Sequence, residues 1–223
     1  MRGEFNMSLK LVLGNKNYSS WSLRPWIAMR NAGIPFEEEV IPLYEPGSAE
    51  RMAVYSPTGK VPVLIDGDMV IWESLAILDH IAERFPKAQL WPADPKARAY
   101  ARAISSEMHA GFLPLRRHCP MNMRRESRKL ELTEDVVANV RRIEQIWTEC
   151  RQRFGADGPF LFGAFGAADA MYAPIVSRFA SYAIDVGAAA EDYMTSVMAL
   201  PAWIEWRNAG IMEPWIMPGN EVG

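Results

Sequence analysis

The sequence predicts an α/β half followed by an all-helical half, and three observations predict it. Over the first 85 residues apolar positions recur alternately at the strand period and the helix period. Pro86, Pro92 and Pro95 then punctuate a short stretch that reads as an ordered linker. Beyond it only helical spacing remains. The length of 223 residues suits one large domain or two small ones.

Each element follows in order. Leu9, Leu11 and Leu13 alternate as a strand in a segment that begins credibly at Met7; Met1–Asn6 reads as an added or misassigned start and is set aside. Trp21 to Ala32 has helical spacing and is stopped by Gly33. Phe36 to Ile41 is a short strand closed by Pro42, and Gly47 to Tyr55 is a weak helix or turn. Val61–Ile65, the Asp66-Gly67-Asp68 turn and Met69–Trp72 form a hairpin. Leu75, Leu78, Ala82 and Phe85 space a helix that ends at Pro86. The order is βαβαββα, with domains expected at 7–86 and 96–223. In the second, Ala97–Arg117 is expected as one long helix. Leu132 to Phe154 carries a long amphipathic stripe, and Ala168 to Tyr182 another. Glu191–Leu200 and Pro201–Asn208 add two shorter helices.

Composition narrows the function classes. Hydrophobic residues make up 49% and charged residues 23%, so a chain of this length buries roughly 70% of its unfolded surface without staples. The 24 basic and 27 acidic residues give a net charge of −3, which argues against nucleic acid or anionic lipid as partner. Cys119 and Cys150 form no CxxC and no zinc-type spacing with histidine, so no metal is expected and free thiols suit a reducing compartment. No apolar run reaches ~18 residues and no signal peptide opens the chain, so a cytoplasmic protein is expected.

Three stretches could carry chemistry. In Asn17-Tyr18-Ser19-Ser20-Trp21-Ser22-Leu23-Arg24-Pro25, the rule that proline sits in a first helical turn places the helix start at about Trp21 or Ser22, with Ser19 and Ser20 just outside it. There free N–H groups and the helix dipole favour an anion such as a thiolate; plain helix capping is the other reading. No GxSxG or hydrolase spacing accompanies these serines. In Gly59-Lys60-Val61-Pro62-Val63-Leu64, a cis Val61–Pro62 bond would turn the Val61 backbone outward to pair with a peptide, whereas only ~5–6% of such bonds are cis. In Trp72-Glu73-Ser74-Leu75, Ser74 could receive a carboxylate and Glu73 an ammonium, the two ends of a free amino acid; Ser74 as a simple cap is the alternative.

Taken together, Ser19-Ser20 with Arg24, Gly59 to Leu64, and Glu73-Ser74 followed by Ile77-Leu78 resemble the cytosolic glutathione S-transferase family over nearly the whole chain from Met7. Within it the chain looks most like serine-type, zeta-like bacterial members. The resemblance implies a thioredoxin-like first half, glutathione as cosubstrate with no prosthetic group, a small electrophilic partner, a detoxification role and a homodimer. It implies that Ser19 is the catalytic serine, that Val61 pairs with the cysteinyl part of glutathione ahead of a cis Pro62, and that Glu73 and Ser74 hold the γ-glutamyl head. Two departures stand out. Zeta enzymes that isomerise maleylacetoacetate carry Ser-Ser-Cys where this chain has Trp21, and their Gln-Pro-Leu-Gln-Asn stretch is here Leu113-Pro114-Leu115-Arg116-Arg117. The alternatives to a transferase are thus a zeta-like isomerase and a non-catalytic glutathione-binding module. Gly166-Ala167-Ala168-Asp169 keeps the family's helix-opening aspartate without a capping hydroxyl.

Other residues read as structural. Arg116, Arg117, Arg124, Arg125, Arg128 and Lys129 are expected to form a solvated face, or else a rim for an anionic ligand. His109 and His118 are expected to be structural and His80 to lie on the surface, while Met108, Met121, Met123 and the tail Trp215 read as core, with the lining of an apolar pocket as the other reading.

Overall fold

The computed structural model describes residues 9–222; the segment set aside at Met1–Asn6 lies outside the described residues. The first half is a four-stranded sheet with order β2-β1-β3-β4, built from β1 (Leu9–Leu13), β2 (Phe36–Val40), β3 (Val63–Asp66) and β4 (Met69–Trp72). β1 pairs parallel with β2 and antiparallel with β3, and β3 with β4 antiparallel. Three helices complete this half: α1 (Ser20–Asn31), α2 (Ser48–Tyr55) and α3 (Ser74–Arg84). This is the expected thioredoxin-like βαβαββα order. Gly67 turns the hairpin at φ +62°, and Gly33, at φ +67°, follows α1 where the sequence predicts a stop.

The second half is helical: α4 (Pro95–Ala110), α5 (Leu113–His118), α6 (Glu134–Phe154), α7 (Ala167–Ser181), α8 (Ala188–Met198) and α9 (Pro201–Met212). Past residue 100 the described residues contain no strand, only two isolated bridges between 160 and 164. The single long helix expected over Ala97–Arg117 is instead two. α4 stops at Ala110, the chain turns through Gly111 and through Phe112 at φ +61°, and α5 restarts with Pro114 in its first turn. Pro114 lacks the N–H that would bond residue 110, and its ring clashes with that carbonyl, so the ladder cannot cross.

α7 is the central pillar, buried along almost its whole length. α1 packs on it from the first half, α4 and α8 from the second. α9 returns to pack on α1, with Trp26 and Trp206 at 5.0 Å between ring centroids. Asp169, fully buried, opens α7: one carboxylate oxygen accepts the Gly166 N–H at 2.9 Å and the other the Leu161 N–H at 3.0 Å. The expected box survives its lost hydroxyl because the aspartate also ties in the preceding loop. Burial pushes its carboxyl up to about 6. Among the described residues no helix is long and apolar enough to cross a membrane.

Candidate functional site

Ser19 is the N-cap of α1 and is buried. Its Oγ donates to Ser22 Oγ at 2.8 Å and accepts weakly from the Ser22 N–H at 3.4 Å. Pro25 is not in the first turn, as the rule on proline suggested, but is the sixth residue of α1. Its missing N–H leaves the Trp21 carbonyl without the usual helical donor. The loop before Ser19 is fixed from the other half of the molecule. The Glu213 carboxylate, just after α9, accepts the Lys16 N–H at 2.6 Å and the Asn17 N–H at 3.0 Å. Gly210 lets α9 come this close, since a Cβ there would stand 3.0 Å from Asn17 N. Met123 N donates to Asn17 O at 3.1 Å. Tyr18 Oη donates to Glu221 and accepts from Arg124 Nη2 at 3.2 Å.

A cavity of about 260 Å³ lies beside this helix start, lined by Trp21, Lys60, Val61, Pro62, Glu73 and Ser74 among others. Three of the four residues singled out in the sequence, Val61, Glu73 and Ser74, thus meet in one place. Ser19 is not in its lining; it stands two residues before Trp21, which is. The Val61–Pro62 bond is cis. Ser74 is fully buried as the first residue of α3, and Glu73 before it holds φ +68° and ψ 122°. A glutamate in that conformation costs on the order of 1–3 kcal/mol, so surrounding structure imposes it.

The helical half supplies a second layer that the sequence did not reveal. It packs against Trp21 of α1. The Arg24 guanidinium lies over the indole at 4.2 Å and that of Arg116 at 4.7 Å, with the His109 ring edge-on at 5.1 Å. His109 Nε2 reaches the Glu73 carboxylate at 3.4 Å. Burial, and then the Arg24 charge, hold the His109 imidazole below its ordinary value. Arg24 is 1% exposed and its one hydrogen bond is a long one, 3.5 Å from Nη1 to Ser74 Oγ; Nε has no partner. No carboxylate of the described residues pairs with it. Burial, with Arg116 and Arg178 nearby, depresses the guanidinium well below the arginine range.

Several expectations change accordingly. The basic run is not a solvated face throughout: Arg116 also donates to the Met108 and His109 carbonyls, Arg124 lies over Tyr18 and Arg125 over Tyr182. Their stems cover apolar surface while the heads find rings and carbonyls. His109 faces the cavity residues instead of only packing. His80, expected on the surface, bonds the fully buried Asp66 at 2.8 Å, which Arg84 also holds. Met108, Met121 and Met123 are core, as expected, whereas Trp215 is only half-buried. Cys119 and Cys150 are buried free thiols, pushed up to about 11 and about 12 by desolvation, and so are poor nucleophiles. A larger cavity of about 480 Å³, between Arg124 and Trp203, holds none of the four candidate residues.

Comparison with known proteins agrees with this layout. The N-terminal domain model of glutathione S-transferases matches residues 18–84 and the C-terminal domain model residues 131–209. A probable maleylacetoacetate isomerase of Caenorhabditis elegans is 35% identical over 43% of this chain and 44% of its own length. The maleylacetoacetate isomerase of Rattus norvegicus is 39% identical over 48% of the chain and 50% of its own. The chain spans about half the length of these curated relatives. A glutathione transferase homologue from Burkholderia, solved with bound glutathione, superposes with a TM-score of 0.66 at 20% identity, over 91% of this chain and 97% of that one. A diazinon-metabolizing glutathione S-transferase of the silkworm Bombyx mori gives 0.71 at 18% identity, over 92% and 98%. These structures share the fold: a thioredoxin-like sheet half joined to a helical half. With both domain models matched in their proper order over most of its length, the chain belongs to the glutathione S-transferase family.

Proposed function

We propose that this protein is a glutathione transferase that ionises the glutathione thiol and directs it at a small electrophile. The observation that carries the reading is the meeting of Val61, Glu73 and Ser74 in one cavity, with the buried Arg24 guanidinium, which pairs with no carboxylate of the described residues, 3.5 Å from Ser74 Oγ. Glutathione brings matching groups. Its γ-glutamyl carboxylate takes Ser74 Oγ and the free N–H groups at the start of α3, with the Arg24 charge beneath. Its ammonium meets Glu73, which neutral His109 leaves available near pH 7. Its cysteinyl backbone pairs with Val61. The thiol then lies toward the start of α1, where its proton passes to solvent and the thiolate is held by the Ser19 hydroxyl and the helix dipole. The sulfur attacks the electrophile, forming a carbon–sulfur bond as the leaving group departs with its electron pair, or as a double bond is saturated and its far carbon takes a proton from solvent.

The test is initial-rate conjugation with several electrophiles, on wild type, Ser19→Ala and Glu73→Ala. Ser19→Ala is expected to lower turnover by about 10²–10³ and raise the pKa of the bound thiol, with glutathione affinity within a few-fold. Glu73→Ala should weaken binding more than turnover. Wild type that binds glutathione and conjugates nothing would make this a binding module. Full activity in Ser19→Ala would move the donor to Ser20, since the Tyr18 hydroxyl is already engaged by Glu221 and Arg124.

The isomerase relatives favour a second reading, maleylacetoacetate isomerisation by the same site. Trp21 and Arg116 weigh against it, because Trp21 lines the cavity and the Arg116 cation lies over it, at positions where zeta enzymes have a cysteine and a neutral polar group. Direct assay of that isomerisation decides between them. The edge strand β4 leaves Met69, Val70 and Trp72 more than 40% exposed, which supports a homodimer burying on the order of 2,000 Å² across this edge. Sedimentation as a monomer at micromolar concentration would refute it. Two unpaired thiols suit a reducing compartment such as the cytoplasm.

A further inference from the structure

Ser19 and Ser22 form a buried pair of hydroxyls at the head of α1. Ser22 is fully buried, its Oγ lies 2.8 Å from Ser19 Oγ, and it accepts the Gly14 N–H at 3.0 Å. A hydroxyl has one proton to donate and two lone pairs with which to accept. At present Ser19 spends its one proton on Ser22. A Ser19 that serves a thiolate must turn that proton away, and Ser22 then needs an oxygen for its own. Among the described residues Ser19 Oγ is the one hydroxyl or carbonyl oxygen hydrogen-bonded to Ser22 Oγ.

We propose that Ser22 is a positioning residue in a two-hydroxyl relay, an inference that rests on the reading of Ser19 as the thiol-facing donor. When sulfur arrives, the Ser19 proton turns to it and the 2.8 Å bond reverses, so that Ser22 donates to Ser19. The series is then Gly14 N–H to Ser22 Oγ, Ser22 O–H to Ser19 Oγ, Ser19 O–H to thiolate. Each link polarises the next, and in a water-poor site that strengthens the terminal bond to sulfur. The relay also fixes the direction of the Ser19 hydroxyl, which a lone serine would leave free to rotate. Gly14, at the end of β1, ties the series to the sheet: its own Cβ, were there one, would meet Leu43 and Ser19 Cβ at 2.8 and 3.2 Å.

The experiment is ultraviolet titration of the thiolate in the glutathione complex, with steady-state kinetics, for Ser22→Ala, Ser22→Thr, Ser19→Ala and the double variant Ser19→Ala/Ser22→Ala. Ser22→Ala is expected to raise the bound thiol pKa by about half a unit to one unit. It should lower kcat about three- to tenfold with the glutathione KM within about twofold. Ser22→Thr, which keeps the hydroxyl, should restore most of the loss. In the Ser19→Ala background, Ser22→Ala should add nothing, because the relay has lost its outlet. A raised pKa in Ser19→Ala beside an unmoved pKa in Ser22→Ala overturns the relay alone, as does an equal Ser22→Ala effect with and without Ser19. An unmoved pKa in Ser19→Ala overturns the Ser19 assignment and the relay with it. Should Ser22→Ala fail to fold, Ser22→Cys, of similar size with a weaker donor, carries the same expectations.

Discussion

Replacing Arg24 by methionine should separate folding from binding, with opposite signs. Arg24 is a desolvated cation with one long hydrogen bond and no carboxylate. Burying an unpaired charge is costly, and exchanging buried ionic groups for apolar ones of similar volume is often neutral or stabilising by about 1–4 kcal/mol. Against that stands the contact with Trp21 at 4.2 Å, worth about 1–2 kcal/mol when desolvated. The ligand-free variant should therefore unfold at the same temperature as wild type or a few degrees higher, since about 1 kcal/mol moves a domain of this size by roughly 2–4 °C. Glutathione binding should fall. Arg24 Nη1 is 3.5 Å from Ser74 Oγ, so a carboxylate accepting from Ser74 would sit about 6 Å from the guanidinium centre. With an effective dielectric of about 20, two unit charges at that distance attract by about 3 kcal/mol. Residual hydration trims this, leaving a loss of roughly ten- to a hundredfold in affinity. Calorimetric titration with glutathione and thermal unfolding with and without it read both quantities. A lower unfolding temperature together with unchanged glutathione affinity would refute the argument and make Arg24 a prop for Trp21.

Asp169, pushed up to about 6 by burial, binds its proton more tightly folded than unfolded. Its contribution is therefore largest below about pH 4 and is lost as pH rises through about 6; through this group alone the fold should lose roughly 2–3 kcal/mol as pH rises between those limits, and Asp169→Asn should remove that slope in denaturant titrations run across the range. His109 is held below its ordinary value, so it stays neutral until the solution is more acidic than the usual histidine midpoint. Below that, His109 becomes a cation 3.4 Å from Glu73 and competes with the glutathione ammonium; the glutathione KM should rise on acidification, and His109→Asn should flatten that limb of the profile. Glu213→Gln keeps one acceptor for the Lys16 and Asn17 N–H groups but turns a donor toward the other. Turnover should fall by about tenfold with the glutathione KM little changed, measured by initial rates, because the loop that carries Ser19 loosens while the Glu73–Ser74 cavity stays intact.

The strands and hairpin were legible because period-2 alternation and Asp66-Gly67-Asp68 are local signals. So were the stop at Gly33 and the N-cap role of Ser19, which depend on residues adjacent in the chain. The break between α4 and α5 is equally local: Pro114, inside the Ala97–Arg117 span expected as one helix, is the residue that marks it. The second layer was not legible. Trp21, His109 and Arg116 lie on three helices, and nothing in the neighbourhood of His109 distinguishes a ring aimed at Glu73 from a ring aimed at solvent. The same limit applies to Glu213: its two acceptor contacts span nearly the whole chain, and only the packing of α9 on α1 brings them together.

That division has a physical consequence for how the site works. The motif residues of the first half, Val61, Glu73 and Ser74, line one cavity, proposed above as the glutathione site. The helical half contributes what tunes it: Arg116 and His109 against Trp21, and Glu213 under the Ser19 loop. Three guanidiniums, Arg24, Arg116 and Arg178, act electrostatically on one another in the packed interior, two of them almost fully buried. Mutual repulsion of like charges is tolerated there because their heads are absorbed by carbonyls and an indole face: Arg178 takes the Cys119 and Pro174 carbonyls and Arg116 those of Met108 and His109. Arg24 alone among them is left with an indole and a distant hydroxyl, and so retains the largest unmet demand for an anion. A carboxylate at Ser74 would relieve that demand at the point where the two halves meet, so binding free energy drawn from the head group would also tighten the junction that positions Ser19.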